Sequence, residues 1–114
     1  MAPAPPVYLG EFEQIVLLAI MRLGTDAHGV AIGRELEAQA GRAVSRSALY
    51  KTLDRMEHKQ LVRWKIAVGG EERGRLPRRV YTLSARGLAS IRAAQKVFRK
   101  MTVGLDDLLE EKGS

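Results

Sequence analysis

The apolar residues of the chain recur at helical intervals in four stretches. Residues 8–23 are apolar on nearly every side, which is typical of a helix that is buried on every side. In a chain of 114 residues, one of those sides is a candidate contact with a second subunit. Residues 30–40 form a shorter pattern, with Ile32 and Leu36 on its apolar face and Gly41 after its end. Two successive helices are therefore expected before Gly41.

The third helical stretch, residues 45–59, is amphipathic. Leu49, Leu53 and Met56 fall on one face, and Ser45 stands where a helix N-cap belongs. Only residues 41–44 separate this helix from the preceding one, and two helices joined by so short a turn form a helix-turn-helix pattern. The polar face of an amphipathic helix most often does no more than contact solvent, so the pattern alone assigns it no function.

Two stretches alternate between apolar and polar residues, as half-buried strands do. In residues 61–68 the alternating apolar residues are Val62, Trp64, Ile66 and Val68. In residues 78–84 the alternation predicts one face with Tyr81 and Leu83 and another with Val80 and Thr82. Residues 69–77 between them contain three glycines and a proline. Together these stretches predict a two-stranded hairpin with a long, basic tip.

The last helical stretch follows Ser84, a second candidate N-cap, and runs from Ala85 toward Leu109 with Gly104 as a candidate break. A helix that extends beyond the compact part of a domain needs a surface to pack on, and a partner chain is the simplest one. The predicted order is helix, helix, helix, strand, wing, strand, helix. That order is typical of a winged helix-turn-helix, a mostly α fold with a small β-hairpin.

The charge of the chain is concentrated in its middle. The net charge is +6, and twelve basic residues stand against four acidic ones between Arg42 and Arg86. The rest of the chain is therefore net negative. A localised basic segment over a helix-turn-helix and a wing indicates a polyanionic partner such as double-stranded DNA.

Composition excludes several other classes of protein. There is no cysteine, so disulfides and thiolate chemistry are excluded. The longest apolar run, Ile15 to Met21, is too short to span a bilayer, and no signal-peptide pattern precedes it. We therefore expect a cytoplasmic protein with no membrane partner. His28 and His58 lie in separate elements without the pattern of a metal site, and no catalytic or nucleotide-binding motif is present. We expect no enzyme activity, no cofactor and no metal.

The sequence resembles the PadR family of bacterial transcriptional regulators. The matching stretches are LGEFEQIVLLAIMRLG, HGVAIGREL, SALYKTLDRMEHKQLV and RGRLPRRVYTLSARG, which together span about residues 8–100. The chain departs from the family pattern at His28, Ala48 and Gln60, where the family usually has Tyr, often Gly, and usually Gly. These departures affect packing near the turns rather than the fold.

The resemblance implies a homodimer that binds a pseudo-palindromic operator, and we expect it to act as a repressor. Each third helix would enter a major groove, and each wing would contact the neighbouring backbone or minor groove. We expect a flexible tail over residues 1–7, a DNA-binding domain over 8–84, and a dimerisation helix with a tail over 85–114. The candidate DNA-binding residues are Ser45, Arg46, Ser47, Tyr50, Lys51, Arg55, Arg73, Arg75 and Arg78.

Members of this family often respond to small aromatic or hydrophobic molecules held near the dimer interface. The candidates here for such a pocket, or for the interface itself, are Phe12, Trp64, Phe98 and Met101. Core packing is the simpler role for each of them. The alternative to a repressor is a non-catalytic winged-helix module that binds protein or RNA, because a fold does not dictate its function.

Overall fold

A computed structural model describes residues 5–68 and 76–110. Five α-helices and one two-stranded antiparallel sheet make up the described part of the chain. In chain order they are α1 (Glu11–Leu23), α2 (Gly29–Ala40), α3 (Arg46–His58), β1 (Val62–Val68), β2 (Pro77–Leu83), α4 (Ala85–Thr102) and α5 (Asp106–Leu109). A single 3-10 turn, Gly24–Asp26, follows α1. This is the predicted winged helix-turn-helix order.

The apolar core lies where α1 meets α2, β2 and α4. Val16, Leu17 and Ile20 of α1 are buried there, together with the predicted apolar faces of α2 and α3. The first helix is not buried on every side, because Met21 is 48% exposed. None of the described helices is both long enough and apolar enough to cross a membrane.

The hairpin forms as predicted, but β2 is buried on both faces rather than on one. Val62 pairs with Leu83 and Trp64 with Tyr81 in the antiparallel register. Val80 and Tyr81 are both buried, although they point to opposite faces of β2. The reason is that His28 forms an isolated bridge with Val80, and the Tyr81 N–H donates to the Ala27 carbonyl. The segment before α2 therefore covers the second face of the strand.

The outer half of β1 leaves the core. Ile66 is 56% exposed and Val68 is 71% exposed, so the apolar alternation does not mark a buried face along the whole strand. This half of the hairpin projects away from the helices as a wing. The loop predicted over residues 69–77 lies outside the described residues from 69 to 75.

The final helix is shorter than its apolar spacing suggests. It ends at Thr102, and Gly104 adopts a left-handed φ of 83° before the short helix α5. Leu88 and Ile91 pack on or in the core, whereas Phe98 is 62% exposed. The predicted break at Gly104 is confirmed, and the outer part of α4 has an apolar face that the described part of the chain leaves open.

The end of α3 is fixed by hydrogen bonds that require a left-handed residue. The Leu61 N–H donates to the Met56 carbonyl and the Gln60 N–H donates to the Glu57 carbonyl, which is the Schellman pattern. Gln60 has a φ of 63°, the only non-glycine residue of the described chain with a positive φ. The departure from glycine noted in the sequence therefore falls at a position where glycine is the unstrained residue.

Residues 5–7, predicted to belong to a flexible tail, are held against α4. The Val7 N–H donates to Ser90 Oγ at 3.0 Å, and the Pro5 carbonyl accepts from Arg86 Nε at 3.1 Å. Leu9, which follows directly, is buried in the core. Residues 1–4 of the predicted tail lie outside the described residues.

The first turn of α4 approaches the backbone after α3 at a distance only glycine allows. A Cβ atom on Gly87 would lie 2.0 Å from the Leu61 carbonyl oxygen, whereas one on Gly33 of α2 would meet only a leucine methyl at 3.9 Å. Both glycines are helical, so they form a matched pair.

We predict opposite effects for Gly87→Ala and Gly33→Ala on the free energy of unfolding. Gly87→Ala should destabilise the protein by about 2 kcal/mol or more, because a backbone oxygen must move to admit the methyl group. Gly33→Ala should stabilise it by up to about 1 kcal/mol through helix propensity. Urea denaturation followed by circular dichroism measures both, and equal effects of the two changes would contradict the close approach at Gly87.

Candidate nucleic-acid interface

The N-terminal half of α3 faces solvent, and its cations form no ion pair within the described part of the chain. Ser45 caps the helix, its Oγ accepting from the Ala48 N–H at 3.1 Å, which confirms the predicted start. Arg46, Ser47 and Lys51 follow on the exposed face. Neither cation forms an ion pair with any residue that the structure describes. Leu49, Leu53 and Met56 on the opposite face are buried, as predicted.

Tyr50 lies between the two helices of the helix-turn-helix. Its ring is half-buried, and a Cβ atom on Gly29 would lie 2.1 Å from its hydroxyl oxygen. The hydroxyl group is therefore in contact with the first residue of α2. Tyr50 therefore packs between the start of α2 and α3, and this packing is separate from any contact with a binding partner.

The C-terminal half of α3 differs, because its cations meet a carboxylate from α1. Glu13 Oε2 accepts from Lys59 Nζ at 2.9 Å and lies 3.6 Å from Arg55 Nε. Arg55 also approaches Thr52 Oγ1 at 3.4 Å. The predicted DNA-binding residue Arg55 is thus partly engaged inside the protein, unlike Arg46 and Lys51.

Glu13 is a functional candidate that the sequence analysis did not identify. Its side chain is only 8% exposed, and its second oxygen, Oε1, accepts from the Gly10 N–H at 3.0 Å. Burial opposes its ionisation, but the hydrogen bonds from Lys59 and Gly10 and the charges of Lys59 and Arg55 hold its pKa below the ordinary value. The only local signal was its place as a carboxylate in the first turn of a mostly apolar helix.

The wing has its basic residues beside α3 and the turn before α2. Arg78 approaches Asp26 at 3.5 Å, and Arg79 lies 4.1 Å above the Trp64 ring and 3.8 Å from Asp54 of α3. A cation over an aromatic face at this distance is attracted to the ring. These contacts hold the base of the wing next to the exposed face of α3. Arg73 and Arg75, predicted at the tip, lie outside the described residues.

Trp64 joins the wing to α3. Its Nε1 donates to Glu57 Oε2 at 2.7 Å, and its ring is half-buried under Arg79. Trp64 also packs against the core cluster that includes Val62, whereas Ile66 on the same strand is mostly exposed.

The four candidates for a pocket or interface do not lie together. Phe98 lines an apolar groove of about 420 Å³ between residues 6–9 and α4. Trp64 lines a different depression, between the end of α3 and the start of α4. Phe12 packs on the core, and Met101 is 71% exposed beyond the groove.

His28 has a structural position at the start of α2. Its Nδ1 accepts from the Ala31 N–H at 3.5 Å, and its Nε2 lies 3.7 Å from Asp26 Oδ1. Within residues 5–68 and 76–110, no three His, Asp or Glu side chains are grouped as metal ligands.

We predict that Glu13 makes the stability of the protein depend on acid pH. Because folding lowers its pKa, the ionised carboxylate stabilises the folded state above its unfolded pKa, and this stabilisation is lost as the pH falls through the folded pKa. The wild-type protein should therefore be more stable than Glu13→Gln at neutral pH, and the difference should shrink between about pH 5 and pH 3.

Urea denaturation at several pH values measures this difference. The Lys59→Gln background is the control, because removing the cation that donates to Glu13 should weaken the pH dependence. A difference between wild type and Glu13→Gln that stays constant across the acid range would contradict the prediction.

Comparison with known proteins places this arrangement in a family. Three similar solved structures are PadR-type transcriptional regulators. The one from Clostridium difficile R20291 is 18% identical, with a TM-score of 0.70, covering 89% of this chain and 100% of that one. The one from Bacillus cereus is 17% identical, with a TM-score of 0.68, covering 89% and 93%. The one from Eggerthella lenta is 26% identical, with a TM-score of 0.62, covering 90% and 88%.

The first two of these likenesses show the winged-helix fold alone, because their sequence identity is low. A search of the curated proteins found no match. The sequence model of the transcriptional regulator PadR-like family matches residues 17–93, which is most of the chain and includes α2, α3 and both strands. The chain therefore belongs to the PadR-like family of transcriptional regulators, which bind DNA through a winged helix.

Proposed function

We propose that this regulator is a homodimeric, sequence-specific repressor that binds a pseudo-palindromic operator. The observation that carries the proposal is the environment of the N-terminal half of α3. Arg46 and Lys51 are exposed there and form no ion pair with the described residues, while the opposite face of the helix is buried in the core. A helix held in this way presents its cations at fixed positions. Fixed positions are what discrimination between base pairs requires.

The proposed contacts follow from the position of each side chain. Arg46 and Lys51 would contact guanine edges in the major groove, because long basic side chains suit the paired acceptors of guanine. Ser45, Ser47 and Tyr50 would bond phosphates near the helix start. Arg55 would contact the backbone at the edge of the site.

The wing would contact DNA next to the groove that holds α3. Arg78 lies at its base, with 27% of its side chain exposed, and Arg73 and Arg75 fall in the stretch that the sequence predicts as its tip. Arginines on a glycine-rich loop are suited to phosphates or to a minor groove.

A second copy of the chain would pack on the outer face of α4. Val97, Phe98 and Met101 are each more than half exposed there, next to the groove that residues 6–9 form with α4. Covering these side chains would bury apolar surface that a monomer leaves in water. Residues 85–114 would thus serve dimerisation and residues 8–84 DNA binding, with the two recognition helices about 34 Å apart.

The same groove supports release of DNA by a small aromatic or hydrophobic effector. Its lining is predominantly apolar and includes Phe98, Val97 and Leu9, and its volume of about 420 Å³ suits a small molecule. An effector bound at the dimer interface would act by changing how the two copies of α4 pack.

We predict that Arg46→Ala and Lys51→Ala each weaken binding to the selected operator by about 5- to 100-fold, the loss of one base contact. Duplexes selected from random DNA by the wild-type protein, and scrambled duplexes of equal length, would be titrated by fluorescence anisotropy. Lys96→Ala, an exposed cation on α4, is the control and should bind as the wild type does. If the wild type selects no common sequence, the repressor proposal fails in favour of the protein- or RNA-binding module.

We predict that Phe98→Asp with Met101→Asp converts the protein to a monomer at micromolar concentration. Both side chains are mostly exposed, so the change should leave the monomer folded while adding charge to the proposed interface. Sedimentation equilibrium measures the association state. Val68→Asp, equally exposed on the wing, is the control and should remain dimeric. A wild-type protein that is monomeric at this concentration would contradict the dimer.

A further inference from the structure

The four cations of α3, counting its C-cap residue Lys59, fall into two pairs with different surroundings. Arg46 and Lys51, toward the start of the helix, form no ion pair within the described part of the chain. Arg55 and Lys59, toward and just after its end, both lie against one carboxylate, that of Glu13. The division follows the axis of the helix.

Glu13 is placed to hold its two cations firmly. Its side chain is 8% exposed, so the carboxylate is poorly screened by water, and Lys59 Nζ donates to it at 2.9 Å. An ammonium group that leaves a buried carboxylate for a phosphate exposes or unpairs that carboxylate, which is costly. Exposed ion pairs impose no such cost, because water replaces the partner.

The carboxylate is itself fixed to the rest of the fold. Its other oxygen accepts from the Gly10 N–H at 3.0 Å, at the start of α1. The carbonyl of Lys59 accepts from Arg86 Nη1 at 3.3 Å, so the backbone at the end of α3 is also tied to α4. Lys59 and Arg55 are therefore attracted to a carboxylate that is held in place. The backbone at the end of α3 is also held, which opposes its movement toward DNA together with these side chains.

We propose that Glu13 is a positioning residue for DNA binding, which restrains Arg55 and Lys59 and confines strong phosphate contact by α3 to its N-terminal half. The proposal rests on the proposed function of α3 as a DNA-binding helix. It revises the role of Arg55 from a full backbone contact to a restrained one. Its consequence is selectivity, because phosphate contacts strengthen binding to every sequence alike.

The first test compares Glu13→Gln with Glu35→Gln in the full-length protein. Glutamine preserves the shape of the side chain and an oxygen for the Gly10 N–H. Glu35→Gln is the control, because it also removes a partly buried carboxylate that binds an arginine, Arg22 at 2.6 Å, but it frees no cation of α3. The measurement is the affinity for the selected operator and for a scrambled duplex over a range of salt concentrations.

Glu13→Gln should raise the affinity for the scrambled duplex several-fold and steepen the plot of log affinity against log salt by about one to two, since each added phosphate contact contributes about 0.9. The ratio of operator to scrambled affinity should fall. Glu35→Gln should leave the slope and the ratio as in the wild type. Equal slopes for the two variants would overturn the proposal, because a purely structural role for Glu13 changes stability and not the number of phosphate contacts.

A second comparison does not depend on the folding of Glu13→Gln. Lys59→Gln should leave the salt slope of the otherwise wild-type protein unchanged, while Arg78→Gln, which removes a proposed phosphate contact of the wing, should reduce it by about one. If Lys59→Gln reduces the slope as much as Arg78→Gln does, Lys59 contacts DNA and the proposal is overturned.

The two proposals fail in different ways. A wild-type protein that does not distinguish the selected duplex from the scrambled one would refute the proposed function. A wild-type protein that does distinguish them, together with a Lys59→Gln variant that loses a phosphate contact, would refute only the role of Glu13.

Discussion

The burial of α1 is the interaction on which the rest of the structure depends. Val16, Leu17 and Ile20 are almost completely enclosed, and α1 contacts α2, α4 and β2. Each such side chain contributes about 1.5–3 kcal/mol, so the loss of any one of them would remove a large part of the small net stability of a domain. The helix-turn-helix packs on this helix through α2, and the hairpin packs on it through β2.

The sequence was sufficient to predict the features that depend on near neighbours. The start of α3 followed from Ser45, and the start of α4 from Ser84, whose hydroxyl accepts from the Gly87 N–H at 3.0 Å. Both are local hydrogen bonds that a cap residue makes with its own helix. The hairpin also followed from short-range alternation, although the alternation did not show that Val80 and Tyr81 are buried on opposite faces of β2. Val80 is buried because His28, far away in the sequence, covers it.

The candidate site was predictable only in part, because its key contacts join distant residues. The exposed cations Arg46 and Lys51 follow from helical spacing, and they lie where it places them. The bond between Glu13 and Lys59 joins residues 46 positions apart, and no local pattern contains it. Gln60 is an intermediate case. The sequence shows that it replaces the glycine usual in the family, but only the structure shows the positive φ that explains why glycine is usual there.

The contact at Gly87 packs the first turn of α4 directly against the backbone that follows α3. With the Leu61 carbonyl against this turn, little space is left for α4 to rotate relative to α3. In the proposed dimer, the angle at which the two copies of α4 cross would then determine the distance between the two copies of α3. The spacing between the two halves of the operator would therefore depend on the contact between Gly87 and Leu61, although neither residue is proposed to contact DNA or an effector.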